Sequence, residues 1–212
     1  MKPPVVIVVA AMAAAITALV FAAVRWQASK TIVTAGFHFE PGPYTLATEA
    51  TRTLGGPLTE AEIESIQQIS RRELEQAFAG TRMVITEQAG GFWHIEVRHT
   101  LGQGRQLPHA GQTLPLGPLG GVAEVSFTAL ALSAIRFAPD GASRQTMIDG
   151  IGRGIGRAAV HELAHQIVAT AAMDNNTDPD SYEYGSFIRA SQYYGQLHWS
   201  GAWPLVQQKI GK

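Results

Sequence analysis

The sequence contains no cysteine. A chain without cysteine has no disulfide framework, no thiolate ligands for zinc, no thiol nucleophile and no cysteine that a lipid can modify. Any metal ion must therefore be held by histidine, aspartate or glutamate side chains.

The sequence also lacks an excess of charge of either sign. Its formal net charge is −1, with 16 lysines and arginines against 17 aspartates and glutamates. A protein that binds nucleic acid usually carries a basic patch or stripe that matches the phosphate backbone. We therefore expect no nucleic acid partner.

A third absence is local, because no charged residue occurs from Val5 to Val24. A helix of about twenty apolar residues matches the hydrocarbon thickness of a bilayer. The run is longer than the apolar part of a cleavable signal peptide, which favours an uncleaved anchor over a signal segment. We predict a transmembrane segment over residues 1–29 and one domain over residues 30–212. The short N-terminal tail is typical of a signal-anchor that places the domain outside the cytoplasm, in the periplasm of a bacterium.

Beyond this run, the chain alternates between strand and helix patterns and predicts an α+β domain. Short β-rich runs predict strands near residues 31–39, 82–86, 93–99 and 123–137. Gly90 and Gly91 separate the second and third runs and predict a hairpin between them. The glycine- and proline-rich stretch from Leu101 to Gly121 predicts a loop at the rim of a site.

Three segments have helical periodicity. Thr59 followed by Glu62 is a capping box, and it predicts an amphipathic helix that ends near Gly80. A longer helix is predicted over residues 143–172, and a last helix over residues 181–197.

Four alternating glycines, 150, 152, 154 and 156, lie within the long predicted helix. Their spacing fits neither a GxGxxG loop nor a Walker A loop, so we predict no nucleotide site. Each glycine costs about 1 kcal/mol of helix propensity relative to alanine. We therefore expect another element to approach the helix closely at these positions.

The chemistry-bearing motif of the sequence is His161-Glu162-Leu163-Ala164-His165, farther along the same helix. Histidines four residues apart lie on one helix face, so both imidazoles can reach one ion at about 2.0 to 2.1 Å. Glu162 is placed beside them to act as a general base toward the attacking water. We predict Zn²⁺ as the cofactor, His161 and His165 as ligands, and Glu162 as the catalytic base.

This pentapeptide, on a helix that follows a strand, resembles the zincin metallopeptidases, and the likeness in layout covers about residues 30–205. It implies a small twisted mixed sheet packed on a helix and a central active-site helix, here preceded by a transmembrane helix. It also implies zinc-dependent hydrolysis of a peptide or protein substrate. Val168 and Ala171 stand where the metzincin branch has glycine and histidine, so the chain does not fit that branch.

Two other zincin branches take a third zinc ligand from a carboxylate downstream. The gluzincin pattern implies Glu183, which is the preferred candidate, and the aspzincin pattern implies Asp178. Asp174, Asp180 and His198 are further candidates. Acidic residues clustered in a polar loop also commonly cap helices and turns, which is the ordinary reading of the three aspartates.

Zincins commonly add a tyrosine, histidine or arginine that stabilises the oxyanion, and Tyr184 is the candidate that we would test first. Two other functions share the same residues. One is a catalytically inactive binding or scaffold module with a structural zinc ion, and the other is a zinc amidase that acts on cell-wall peptides. The histidine, glutamate and arginine at 94, 96 and 98 alternate onto one strand face, which predicts a solvated surface.

Overall fold

The computed structural model describes residues 32–88, 92–101, 110–115, 120–168, 173 and 176–211, together with residues 17 and 19. The predicted transmembrane segment over residues 1–29 otherwise lies outside the described residues. Within the part that is described, no helix has both the length and the apolar character needed to cross a bilayer. The chain divides into two units, Met1–Val33 and Thr34–Lys212.

From residue 32 onward, the described residues form an α+β fold with five strands and six helices. In chain order these are β1 (Val33–Phe39), α1 (Thr48–Leu54), α2 (Glu60–Ala77), β2 (Met83–Thr86), β3 (Trp93–Arg98), β4 (Gly111–Pro115), β5 (Gly121–Ser126), α3 (Phe127–Arg136), α4 (Arg144–Val168), α5 (Ser191–Tyr194) and α6 (Trp203–Ile210). The capping box is present, because Thr59 accepts from the Glu62 backbone and the Glu62 side chain accepts from Thr59. The sequence patterns predict neither α1 nor α6.

The five strands form one mixed sheet in the order β2-β1-β3-β5-β4. Strand β3 is parallel to β1 and to β5, and β4 is antiparallel to β5. The prediction of a hairpin between β2 and β3 is therefore wrong, although both strands exist. Strand β1 lies between them, and its central residues, among them Ala35 and Phe37, are buried. The backbone groups on both edges of a buried strand need hydrogen-bond partners, and the two neighbouring strands supply them.

One face of the sheet is apolar and the other is polar, as the alternation in β3 predicts. Trp93, Ile95 and Val97 are buried, and the intervening residues of β3 are half-buried. On the polar face, Arg98 contacts Glu96 at 2.9 Å and Glu124 on β5 at 2.7 Å. Helix α4 packs against β3, β4 and β5.

The prediction of a strand over residues 123–137 is wrong beyond Ser126. The chain leaves β5 at that residue and continues directly as α3, and the Ser126 side chain accepts a hydrogen bond from the Ala129 backbone as an N-cap. The leucines and alanines that follow favour a helix as readily as a buried strand. Ser126 is the signal that separates the two elements.

The stretch from Leu101 to Gly121 is not all loop. Residues 111–115 form β4, which pairs antiparallel with β5. Its glycine and proline content hides the strand from a reading of local propensity, because the pairing with β5 supplies the order. Residues 102–109 and 116–119 lie outside the described part of the chain.

The predicted long helix is confirmed as α4, whose glycines lie where other elements approach. A Cβ at Gly156 would lie 2.5 Å from the Ser70 carbonyl oxygen on α2. One at Gly152 would lie 2.7 Å from the Ile69 side chain, also on α2. Glycine thus lets α2 and α4 approach more closely than a side chain would permit.

The predicted helix over residues 181–197 is wrong, because only α5 is helical there. Ser181 instead forms a parallel bridge with His198, in which the Tyr182 amide donates to the His198 carbonyl at 3.0 Å. The His198 amide donates in turn to the Asp180 carbonyl at 2.9 Å. Because these backbone groups bond across the bridge, they cannot form the hydrogen bonds of a helix, and the segment forms an ordered turn.

Candidate active site

The two histidines of the motif lie one turn apart near the end of α4. Their Nε2 atoms are 3.0 Å apart, and the ring planes are inclined at 81°. Within residues 158–168, these two side chains and Val168 are partly exposed and the others are buried. The same nitrogen of both rings therefore converges on one point beside α4.

The His161 ring is oriented by the backbone of the turn that follows Ser181. Its Nδ1 atom lies 2.8 Å from the Tyr182 carbonyl oxygen. A carbonyl only accepts, so Nδ1 carries the hydrogen and donates it, which leaves the Nε2 lone pair directed away from the turn. Metal-binding histidines commonly have this second hydrogen bond, because it fixes both the tautomer and the ring orientation.

Glu162 points toward β4 rather than into solvent. Its side chain is buried, and its Oε2 atom accepts a hydrogen bond of 2.5 Å from the Thr113 hydroxyl. The same hydroxyl lies 3.1 Å from the Glu162 carbonyl oxygen. Gly111, two residues earlier on β4, leaves the space that the carboxylate occupies. The carboxylate is thus enclosed between α4 and the last strand in the sheet order.

A buried glutamine fixes this end of α4 to the sheet. The Gln166 side chain accepts from the His94 amide at 3.2 Å and donates to the His94 carbonyl at 3.0 Å. Gly121 on β5 lies against the same side chain, with space too small for a Cβ. The residue that follows His165 is therefore held to the central strand β3.

Glu183, the preferred third ligand, has a buried carboxylate with three hydrogen-bond donors. Its Oε1 atom accepts from the amides of Ser200 at 2.8 Å and Ala202 at 2.9 Å. Its Oε2 atom accepts from the Asn176 side chain at 3.1 Å. The carboxylate thus holds two loops together, and its role as a zinc ligand stays a prediction.

Of the other candidate ligands, Asp178 and His198 contact each other in the described structure. Asp178 accepts from the Asp180 amide at 3.0 Å, and its other oxygen lies 3.0 Å from His198 Nε2 in an exposed ion pair. Asp174 lies outside the described residues. Across the described ranges, no group of three histidine, aspartate or glutamate side chains is close enough together to hold a metal ion. The structure brings together two of the three predicted ligands.

Tyr184, the predicted oxyanion stabiliser, packs against Arg189. The guanidinium lies 4.7 Å from the centre of the tyrosine ring, a cation–π contact. Burial lowers the pKa of Arg189 below its usual range. The described contacts give Tyr184 a packing partner, and its catalytic role stays a prediction.

Three groups that shape the site are not predicted by the motif, namely the Thr113 hydroxyl, the Tyr182 carbonyl and the Gln166 amide. Thr113 lies in a stretch predicted as loop, and a backbone carbonyl leaves no trace in the sequence. Gln166, which directly follows the motif, is a buried polar residue on the sheet-facing side of α4. The position of this glutamine directly after the motif, on a helix predicted to be amphipathic, is the one signal that the sequence contains.

Comparison of the chain with protein-family models, with curated proteins and with solved structures finds no match. What the site does must therefore be inferred from its own residues and geometry.

Proposed function

We propose that this chain is a zinc-dependent peptidase in which His161 and His165 bind the metal and Glu162 is the general base. The observation that supports this most strongly is the separation of 3.0 Å between the Nε2 atoms of the two histidines. Two nitrogens at about 2.0 to 2.1 Å from one tetrahedral zinc ion lie about 3.3 to 3.4 Å apart, so the two rings need to separate by only a few tenths of an ångström to bind it. Glu162 directly follows His161 in the sequence, and hydrolysis by an activated water requires a base of this kind.

The donor set fits zinc in its chemistry. Two imidazoles are typical zinc ligands, and the Tyr182 carbonyl provides the second hydrogen bond that such ligands need. Glu183 is proposed as the third ligand, with Asp178 as its rival. Zinc held by these side chains would supply Lewis acidity, which polarises the scissile carbonyl and lowers the pKa of water.

Glu162 moves the proton in this proposal. One of its Oε atoms accepts a proton from the attacking water and then gives it to the nitrogen of the leaving amine. The enclosure of the carboxylate between α4 and β4 limits its orientations. Fixed orientation is a large part of the contribution of a general base, because proton transfer requires short and aligned contacts.

The position of β4 favours an extended peptide as the substrate. Among the described strands, β4 is the last in the sheet order, and it lies against the carboxylate of the proposed base. An extended peptide can add to the edge of a sheet through main-chain hydrogen bonds. A peptide paired with β4 would pass close to Glu162, which makes a protein segment or a cell-wall peptide a suitable substrate class.

Metal analysis of the full chain tests the ligand set. Wild type should bind one zinc ion per chain, and H161A and H165A should each lose it. E183Q and D178N separate the two carboxylate candidates, because substitution of the true ligand should weaken zinc binding by about 10- to 100-fold or more. Zinc binding that survives both histidine changes would overturn the proposal. Bound zinc with no hydrolysis of any peptide would instead indicate the structural-zinc module.

We also propose that the run from Val5 to Val24 attaches the domain to a membrane with the site outside the cytoplasm. The support is the absence of charge over that run. The full chain expressed in bacteria should stay in the membrane fraction after alkaline extraction and be cleaved by protease added to spheroplasts. Recovery of the full chain in the soluble fraction would contradict this attachment.

A further inference from the structure

We propose that Thr113 is a positioning residue that holds the Glu162 carboxylate for proton transfer. Through Thr113, pairing of a substrate with β4 would also fix the orientation of the Glu162 carboxylate. This inference rests on the proposed function, since it assigns a residue to the same reaction. It concerns the contact between α4 and β4, which no part of the sequence motif predicts.

The first support is the geometry of the Thr113 hydroxyl. It lies 2.5 Å from Glu162 Oε2, which is the distance of a hydrogen bond from a hydroxyl to a charged carboxylate. Thr113 pairs with Ala123 on β5, a fully buried residue of the apolar sheet face. Its side chain therefore faces α4, while those of Gln112 and Leu114 face the opposite side.

The second support is Gly111, which lies on the same face of β4 two residues earlier. A Cβ at this position would lie 2.5 Å from Glu162 Oε1 and 2.8 Å from its Cγ. Both distances are shorter than van der Waals contact, so a side chain at Gly111 would displace the carboxylate. Gly111 and Thr113 thus fit one carboxylate between them, one by leaving space and the other by donating a hydrogen bond.

The consequence is a link between substrate and base. In the proposed binding mode, a peptide that adds to β4 orders the same strand that carries Thr113. Substrates long enough to pair along β4 should then raise kcat as well as lower KM, because pairing also fixes the base. Dipeptides, which cannot pair along the strand, should be cleaved more slowly at saturation by about tenfold or more.

Kinetics of T113V and T113S in the full zinc-loaded chain test the inference. Valine keeps the shape of threonine and loses the hydroxyl, whereas serine keeps the hydroxyl. We expect T113V to lower kcat by about 10- to 100-fold, with KM changed less than about threefold. T113S should recover most of the loss. T53V, which removes an exposed threonine hydroxyl on α1, is the matched control and should leave kcat within about twofold of wild type.

Amide hydrogen exchange of the metal-free chain gives a second measurement that does not depend on turnover. T113V and E162A should each speed exchange of the β4 and β5 amides by about tenfold, the change expected from loss of a hydrogen bond to a charged group. The double variant should show little further change, because both changes remove the same contact. Independent effects of the two changes would overturn the contact.

The outcomes separate this inference from the proposed function. Wild-type hydrolysis with equal kcat in T113V and T113S would overturn the role of Thr113 and leave the peptidase intact. A kcat that rises in T113V would also overturn it, because the hydroxyl would then restrain the base. Zinc-loaded wild type that hydrolyses no peptide would overturn the proposed function and this inference together. The exchange cycle would then show whether the contact is structural alone.

Discussion

The two halves of α4 differ in what they carry and in what approaches them. The packing half, residues 144–157, carries four glycines, and at 152 and 156 they let α2 approach. The chemical half, residues 158–168, carries the two histidines and Glu162, and it lies beside β4 and the turn at Tyr182. One half is thus fixed by neighbouring helices, whereas the other is fixed by the sheet and presents two partly exposed histidines.

This division predicts that substitutions in the two halves have different readouts. Changes in the packing half should lower stability, because they disturb close contacts with α2 and α5. Changes at the two histidines should lower activity with little change in stability, since His161 and His165 are partly exposed.

The largest loss of stability is expected for R157A. Arg157 is 5% exposed, contacts Glu73 on α2 at 2.9 Å and donates to three carbonyls around α5. Its removal leaves a carboxylate and several carbonyls without their partner. We expect the free energy of unfolding to fall by about 3 to 5 kcal/mol, measured by urea denaturation at neutral pH.

R157K is the matched control for this prediction. Lysine keeps the charge near Glu73 but lacks the planar fork that reaches the carbonyls of α5. Its stability should lie between those of wild type and R157A. Wild-type stability in R157A would show that the packing half is not fixed by this contact.

A smaller loss is expected for G156A. The new methyl group would lie 2.5 Å from the Ser70 carbonyl oxygen and 2.7 Å from Glu73 Cβ, so α2 must move away. Overpacking of this kind costs about 1 to 3 kcal/mol, partly offset by the better helix propensity of alanine. G201A is the control, because a methyl group there would meet only Glu183, at 3.8 Å. A G156A variant more stable than wild type would contradict the close approach.

The smallest loss of stability that we predict is the pH-dependent part of the loss in R144M. Hydrogen bonds from Arg144 lower the pKa of Glu62 from its ordinary 4.5 to about 2, and the capping contacts of Thr59 assist. A carboxylate with a lowered pKa in the folded state stabilises the fold above the unfolded pKa, and that stability is lost as pH falls through the folded pKa. The ion-pair part of the difference between wild type and R144M should therefore be complete above pH 4.5 and shrink toward pH 2.

The size of that part should be about 0.2 to 1 kcal/mol, as for other ion pairs near the surface. Urea denaturation at several pH values measures it. The hydrogen bonds from Arg144 to the carbonyls of Leu54, Gly56 and Pro57 do not titrate, so a constant difference should remain at low pH. A difference that grows as pH falls would contradict the assignment.

The parts of the fold that the sequence predicts are local. The capping box at Thr59, the alternation in β3 and the glycine spacing in α4 each involve residues within one element. The order of the sheet is not local, and β1 enters between two strands that are consecutive in the chain. Strand β4 is ordered by its pairing with β5, which local propensity does not show.

The candidate site divides in the same way. The convergence of His161 and His165 follows from their spacing on one helix, so the sequence predicts it. Thr113 and the Tyr182 carbonyl reach the motif through pairings distant in sequence. The gluzincin resemblance implies Glu183 as a ligand, and the structure places this residue in a turn where amides of another loop donate to it. Contacts between loops depend on the whole fold, and no short pattern encodes them.

We propose that Glu162 acts as the base beside a zinc ion held by His161 and His165, and peptide hydrolysis by zinc-loaded E162Q is the decisive measurement. Glutamine keeps an oxygen that can accept from Thr113, so stability and zinc content should match wild type, while kcat should fall by about 10²- to 10⁴-fold. Turnover of E162Q at the wild-type rate, with zinc bound, would show that Glu162 is not the general base.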